Sequence, residues 1–314
     1  MRVADRDIAH GPSPISVVAP GPGITPPYPH DRTEQMGRLD GKVAFVTGAA
    51  RGQGRSHAIE LAREGADIIA LDVAHDLPEL GLAYPMGSAE DLAQTAAEVE
   101  RLGRRVVTAE VDVRDGSELT EALGSAVAEL GRLDVVVANA GIAANLALAH
   151  EITEQAWEQI LSINLTGVWK TCKAAVPHVV EGGRGGSVII TSSMAGLRGY
   201  QRVAAYASTK HGLVGLMRVL AAELAPHSIR VNSVHPTQVN TPMIMNDETY
   251  KVFRPDLDSP TVEEFTEASA AMHALPVPWV ESVDISRALV FLASEDARFI
   301  TGVTLPIDAG LMIK

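Results

Sequence analysis

A single cysteine, Cys172, is all that 314 residues provide, which rules out a disulfide framework within the chain. It sits in WKTCKAAV, a helical stretch, and reads as a small core residue rather than a reactive thiol. Positive charge is also short: 26 Lys and Arg stand against 39 Asp and Glu, a net charge of -13. Nucleic-acid surfaces need clustered Lys and Arg to neutralise phosphates, so this balance argues against them. It disfavours acidic membranes and acidic carrier proteins as well. No apolar run reaches the roughly 18 uninterrupted residues of a membrane span. The apolar stretch VVVANAGIAANLALA is broken by two asparagines and a glycine. The first residues, MRVADRDIAHGPSPIS, lack the apolar centre of a secretory signal, and a cytoplasmic location is the expectation. Ten histidines are present, none in a paired ligand spacing such as H-E-x-x-H, so no metal site is expected. Internal repeats are lacking too.

The rest of the composition, 46% hydrophobic and 21% charged, is that of a globular chain able to bury a sizeable core. Residues 1–36 stand apart. GPSPISVVAPGPGITPPYPH keeps neither helical nor strand period and reads as an extended or disordered arm ahead of Met36. From residue 37 on, seven β-branched, apolar runs recur: KVAFVTG, DIIALD, RRVVTAEVDV, LDVVVANAG, SVIITSS, IRVNSVHP and VTLPIDAG. Near-continuous apolar runs indicate parallel strands covered on both faces. Between them lie helical stretches at 55–64, 88–103, 117–131, 153–180, 206–225 and 281–294. In the second, Ser88 to Asp91 forms a capping box, and Leu92, Ala96, Val99 and Gly103 share one face. The alternation predicts a doubly wound parallel α/β sheet of Rossmann type, in a single domain over residues 37–314.

TGAARGQG, residues 47–54, follows the first strand and opens the first helix. Gly48, Gly52 and Gly54 let backbone N–H groups approach a pyrophosphate at a helix N-terminus, where aligned peptide dipoles favour negative charge. Glycine also serves ordinary tight turns, so the context matters. Asp72, 18 positions after Gly54 at the end of the second strand, can accept both ribose hydroxyls of an adenosine. A carboxylate there repels a 2′-phosphate and favours NAD over NADP; Arg51, a base beside the loop, argues the other way. Asp112-Val113 and Asn139-Ala140-Gly141 end the third and fourth strands, where they meet a dinucleotide or merely punctuate strands.

YASTK places Tyr206 and Lys210 on one helical face, and Ser193 ends the fifth strand 13 residues earlier. Such a trio can handle a proton on an alcohol or carbonyl oxygen. A free tyrosine, with a pKa of about 10, is a poor base near neutrality, and a neighbouring ammonium stabilises its phenolate.

TGAARGQG, Asp72, Asp112-Val113, Asn139-Ala140-Gly141, Asn164 in SINLTG, Ser193 and YASTK together resemble the short-chain dehydrogenase/reductase family over about residues 37–314. The resemblance implies hydride exchange between NAD(P) and an alcohol or ketone, in a homotetramer. It implies Tyr206 as acid/base, with Lys210 lowering its pKa and holding the nicotinamide ribose. Ser193 then orients substrate, and Asn164 anchors a water relay to Lys210 by bending its helix. HPTQVNTP, 235–242, matches the family's segment after the sixth strand, with Thr237 where glycine is usual. By that match Pro236, Val239 and Thr241 join the cofactor site, Thr241 at the nicotinamide carboxamide. His211 and His235 flank the site. Residues 243 to about 280 match the substrate lid, with Met243, Met245, Phe253, Met272, Leu275 and Trp279 as apolar surface for a modest alcohol or as lid packing.

One stretch is too long for its place. After Asp72 the chain runs through Val73 to Gly87, rich in proline, glycine and tyrosine, before helical rhythm returns; loops of this length are uncommon and usually functional or disordered. This insert, Gln53 in the GQGR turn and HPTQVNTPMI resemble a mycofactocin-associated, carveol-dehydrogenase-like subgroup. That resemblance implies NAD held through turnover and re-oxidised by a separate redox carrier. Leu77, Leu80, Leu82, Tyr84 and Met86 are then expected to fold over the adenosine half. The alternatives are a 3-oxoacyl carrier-protein reductase using exchangeable NADPH, and a non-catalytic NAD-binding protein.

Overall fold

The structure is a computed structural model that describes residues 37–144 and 146–314; the expected N-terminal arm and Met36 lie outside these residues. The seven apolar runs form strands β1 Val43–Thr47, β2 Asp67–Asp72, β3 Val106–Glu110, β4 Val135–Ala138, β5 Gly186–Thr191, β6 Ile229–Pro236 and β7 Thr304–Ile307. They pair in parallel in the order β3-β2-β1-β4-β5-β6-β7. The order reverses between β1 and β4, which opens a crevice at the strands' carboxyl ends, the place where such sheets bind ligands. β1, β2 and β4 are buried along their whole length, as covering on both faces requires. β3 is an edge strand and half exposed, and Asp112 and Val113 stand beyond its last residue, Glu110.

The helices are α1 Gly52–Arg63, α2 Ala89–Arg101, α3 Gly116–Leu130, α4 Glu154–Leu161, α5 Val168–Gly182, α6 Ala204–Leu224, α7 Asp247–Phe253, α8 Val262–Met272 and α9 Ser282–Ala293. On one face of the sheet, Leu119, Leu123, Ile160, Cys172 and Leu213 bring α3 to α6 into a core with Phe45, Ile69 and Val136. On the other, Ala58, Leu61, Leu92, Val99, Ile285 and Leu289 join α1, α2 and α9 to Ala44, Ile68 and Val135. Strand residues therefore alternate between two apolar layers, which is the doubly wound α/β arrangement the sequence predicts. Among the described residues no helix is long and apolar enough to cross a membrane.

Three local outcomes bear on function. The single helix expected over 153–180 is broken: the six residues Ser162–Gly167 form a π-helical turn between α4 and α5, with Asn164 inside it. Such bulges widen a helix by one residue per turn and mark functional sites. In α2 the capping box is present, but Gly103 is exposed in the left-handed region past the helix end, and Thr95 takes the buried position. The insert, finally, is folded onto the domain. A short 3-10 turn, Pro78–Leu80, drives Leu80 into the core, where it is 1% exposed, while Leu77, Leu82 and Met86 pack against the same layer.

The lid at 243–280 carries α7 and α8. Phe265 is its centre, stacked on Tyr250 at 4.7 Å and Trp279 at 6.0 Å and edge-on to Phe253 at 5.0 Å. Trp279 thus packs the lid itself, and Leu275 is 59% exposed, so neither supplies cavity surface.

Candidate active site

Two cavities meet at the carboxyl edge of the sheet. The first, the strand-end cavity, runs past the loop after β1, the ends of β2 and β4, and Lys210. The second, the lid cavity, has a volume of about 590 Å³ and lies between Ser193, Tyr206 and the lid. Gln53, Tyr84, Ser192, Tyr206, Thr241 and Met243 border both.

The β1–α1 loop is shaped for close backbone approach. Gly48 has φ +70°, and a Cβ there would come within 3.0 Å of Ala140 Cα. A Cβ on Gly54 would fall 1.8 Å from the Gly48 carbonyl oxygen, so the crossing admits no side chain. Gly52 faces the Thr241 methyl across the cavity. Arg51 precedes α1 without capping it by its side chain, which leaves first-turn N–H groups available to an anion. Its guanidinium is engaged elsewhere: it donates to the Pro85 carbonyl and lies 5.9 Å from the centre of the Tyr84 ring. The residue that argued for a 2′-phosphate is therefore occupied by the insert.

Asp72, buried at the end of β2, accepts from Ala50 N–H at 2.9 Å and Ala74 N–H at 3.1 Å. Two carboxylate oxygens have room for about four bonds, so acceptor capacity remains at the cavity wall. Gly87 closes the insert against this carboxylate, near enough that a Cβ would meet Ala50 Cβ at 2.6 Å. Asp112 lines the cavity but is gripped by Arg114, through its side chain at 2.6 Å and its backbone N–H at 2.8 Å. Val113 packs beneath, against Gly167 of the π-turn.

The floor is cross-tied. Thr47 Oγ1 accepts from Asn139 N–H at 3.1 Å and Ala140 N–H at 3.2 Å, and its carbonyl accepts from Asn139 Nδ2 at 3.0 Å. Asn164, fully buried, clamps Ile142: Oδ1 accepts its N–H and Nδ2 donates to its carbonyl, both at 2.8 Å. Gly141 leaves just enough space here, since a Cβ would sit 3.2 Å from Asn164 Oδ1 and 3.6 Å from Lys210 Nζ. Asn164 and Lys210 therefore converge on one point, with the π-turn aiming the former.

Lys210 Nζ donates to the Thr191 carbonyl at 2.9 Å and lies 5.5 Å from the centre of the Tyr206 ring. Burial pulls the ammonium's pKa down to about 8. Burial also pushes the Tyr206 phenol above its ordinary value, with the Ser193 hydroxyl pulling the other way. The surroundings of Tyr206 thus combine burial, which opposes the phenolate, with the Ser193 hydroxyl, which favours it. Beneath Ser193 stands His235, fully buried. Its Nδ1 meets the Ser193 carbonyl at 2.7 Å and its Nε2 the Ser233 hydroxyl at 2.8 Å. A carbonyl only accepts, so Nδ1 carries a proton, and burial pushes the ring's pKa down to about 4, which favours the neutral form. His211 points outward.

Pro236 and Val239 border the lid cavity, and Thr241 borders both cavities where they meet. Thr241, Pro242 and Met243 line the strand-end cavity, with the Thr241 methyl over the loop at Gly52. Residues that sequence reasoning passed over are Thr47, Thr191 and Gly87. Thr47 had a signal in its place directly before the glycine loop. Gln53 Oε1 and Thr191 Oγ1 are buried without hydrogen-bond partners, both in residues on the strand-end wall. Such atoms fit a ligand rich in polar groups. The lid cavity differs: among the described residues its lining includes no Lys or Arg and one carboxylate, Glu248, 3.6 Å from Lys251.

A family model described as short chain dehydrogenase matches residues 42–251. The (-)-trans-carveol dehydrogenase of Rhodococcus erythropolis is 59% identical over 279 residues, spanning 89% of this chain and 100% of that one. Among solved structures, carveol dehydrogenase from Mycobacterium avium in complex with NAD aligns at a TM-score of 0.86 and 55% identity, over 88% of this chain and 100% of that one. A short chain dehydrogenase from Mycobacterium paratuberculosis bound to NAD aligns at 0.81 and 44% identity, over 88% and 100%.

Proposed function

The chain belongs to the short-chain dehydrogenase family, and on that premise we propose that it is an NAD-dependent, carveol-dehydrogenase-like oxidoreductase of small apolar secondary alcohols and their ketones. The observation that carries this reading is the position of Tyr206, whose side chain borders the strand-end cavity and the lid cavity at once. NAD, when bound, supplies the acceptor or donor of hydride. Its pyrophosphate fits the N–H groups of the loop from Gly48 to Gly54, and its adenosine ribose fits the spare acceptor capacity of Asp72. The protein's own residues move the proton. Tyr206 gives its phenolic proton to a carbonyl oxygen or takes one from an alcohol, and Ser193 holds that oxygen by a hydrogen bond. Lys210 provides positive charge beneath the phenol, and Asn164 fixes the loop from Asn139 to Ile142 that walls the site.

The lid cavity supports the substrate class independently of any relative's name. Among the described residues its lining holds no Lys or Arg to pair with a carboxylate or a phosphate, and Met243, Phe253 and Met272 offer apolar surface. Both features, with Asp72 and the occupied Arg51, weigh against a carrier-protein reductase using NADPH. Retention of all four catalytic side chains weighs against a non-catalytic protein.

The finer part of the proposal is that NAD stays bound through turnover and is re-oxidised by a separate carrier of the mycofactocin type. Leu77, Leu82, Tyr84, Met86 and Gly87 of the insert border the strand-end cavity, which supports it. A homotetrameric, cytoplasmic enzyme belongs to the same reading.

The test is a purified protein, desalted extensively and then denatured. Release of NAD(H) near one equivalent per chain supports retention, and cofactor lost on desalting overturns it. An alcohol panel run with free NAD and with an electron-accepting dye tests the rest. Turnover with the dye and little with free NAD is expected; equal turnover with free NAD makes this an ordinary dehydrogenase, and no turnover with either overturns the activity.

A further inference from the structure

The insert leaves from the adenosine end of the site, yet it does not stop there. Tyr84 reaches across the cleft to accept a hydrogen bond from Ala143 N–H at 2.9 Å, one residue past the Ile142 that Asn164 clamps. The chain on either side is pinned: Arg51 holds the Pro85 carbonyl, and Met86 N–H donates to Asp76 at 2.8 Å. Arg51 also lies over the face of the ring at 5.9 Å, so the phenol is held at its hydroxyl and at its face. Gly81 and Ala83 border the lid cavity together with Tyr84, whereas Leu77, Leu82 and Met86 border only the strand-end cavity. The 3-10 turn at Pro78–Leu80 divides the insert, and Tyr84 is the large side chain in it that faces both spaces.

We propose that Tyr84 is a specificity-determining residue of the lid cavity: its ring, fixed by Ala143, is the wall that limits the size of the alcohol presented to Tyr206 and Ser193. The residues around it make the assignment specific. Gly81 and Ala83 beside it in the insert, and Ala143 and Ala144 where its hydroxyl docks, are all small, so among these described residues the tyrosine is the one bulky wall. Replacing it with a small residue opens volume next to the reacting oxygen, and neighbouring glycine and alanines cannot refill it. The substrate range is thus set partly by the loop that also borders the strand-end cavity. This inference rests on the alcohol dehydrogenase reading above.

The experiment compares wild type, Tyr84→Ala, Tyr84→Leu and Tyr84→Phe, each as purified holoenzyme, on a series of secondary alcohols from cyclohexanol to decalin-sized rings. Two quantities are read: the ratio of kcat/KM for the largest alcohol to that for the smallest, and the Kd of the largest ketone by calorimetry. In Tyr84→Ala the ratio rises about tenfold and the Kd falls in step, the scale of a methylene or more in a hydrophobic pocket. Tyr84→Leu shifts both in the same direction by less, and it stands in if the alanine variant does not fold. Tyr84→Phe keeps the ring under Arg51 but loses the Ala143 bond, and shifts the ratio less than Tyr84→Leu. An unchanged ratio and Kd in Tyr84→Ala or Tyr84→Leu overturns the proposal, as does a shift in Tyr84→Phe equal to that in Tyr84→Ala. A wild type that oxidises no alcohol in the series refutes the underlying activity instead.

Discussion

On the floor of the cleft, Thr47, Asn139, Asn164 and Lys210 hold their neighbours through hydrogen bonds of 2.8 to 3.2 Å, nearly all to backbone groups. The roof is held differently. The insert is fastened by side-chain contacts from scattered places, among them Gln159 to the Glu79 carbonyl at 2.7 Å and Arg114 to Glu79 at 3.4 Å. The lid relies on aromatic packing about Phe265. A floor tied to strand ends keeps proton-handling groups at fixed separations, and a roof of loops can vary without moving them. On this contrast, changes to the floor cost chemistry and stability, whereas changes to the roof alter which molecules stay and enter.

The sharpest way to break the contrast is Tyr206→Phe, which should lower kcat about 10³-fold, within the range for a general acid or base, while leaving cofactor content intact. A loss under tenfold, measured in the dye assay, removes Tyr206 from the proton path. Next in size is Asn164→Ala. It strands the N–H and carbonyl of Ile142 in a buried place, at about 1–3 kcal/mol for each unsatisfied group. Urea unfolding should show stability reduced by about 3 kcal/mol, with activity falling alongside; an unchanged midpoint means that the loop does not depend on this clamp.

Acid should also find the floor first. His57 and His235 are buried, with pKa values pushed down from 6.5 to about 3 and about 4. The unfolded chain binds protons at these rings below pH 6.5, and the fold does not. Their contribution is complete above about 6.5 and drains as pH falls toward those lower values, at up to about 1.4 kcal/mol per pH unit per ring. Denaturant melts at pH 6.5 and 5.5 should differ accordingly, and His57→Gln should flatten the dependence. The smallest effect is expected on the roof: Gln159→Ala removes one partly exposed bond, worth about 1 kcal/mol or less. It should leave the unfolding midpoint within error but speed loss of bound cofactor a few-fold on prolonged dialysis. Identical retention in wild type and variant detaches that bond from closure.

The floor was the legible part. The glycines, Asp72, Asn139, Ser193, Tyr206 and Lys210 stand close to strand ends or a helix start, where spacing could mark them, whereas Asn164 was marked only by the resemblance to a known family. The fold followed from the same apolar runs. Two things escaped for physical reasons. The π-turn at Ser162–Gly167 interrupts the stretch read as one helix over 153–180: the resemblance implied a bend at Asn164, but SINLTG carries no proline to mark the break in the residues themselves. The raised pKa of Tyr206 needed knowledge of burial, a property of the whole packed site.

Leu80 gives the insert a different physical character from a hinged flap. It is one of the largest fully buried side chains, on a segment that regular structure leaves otherwise bare. Lifting the segment means extracting that leucine into water at about 1.5–3 kcal/mol. Opening therefore belongs with local unfolding rather than with nanosecond loop motion. Amide exchange at Leu80 and Gly81, whose N–H groups bond to the Leu77 and Pro78 carbonyls, becomes a clock for it. The rate at which those protons are lost sets an upper bound on how often anything beneath the segment can leave.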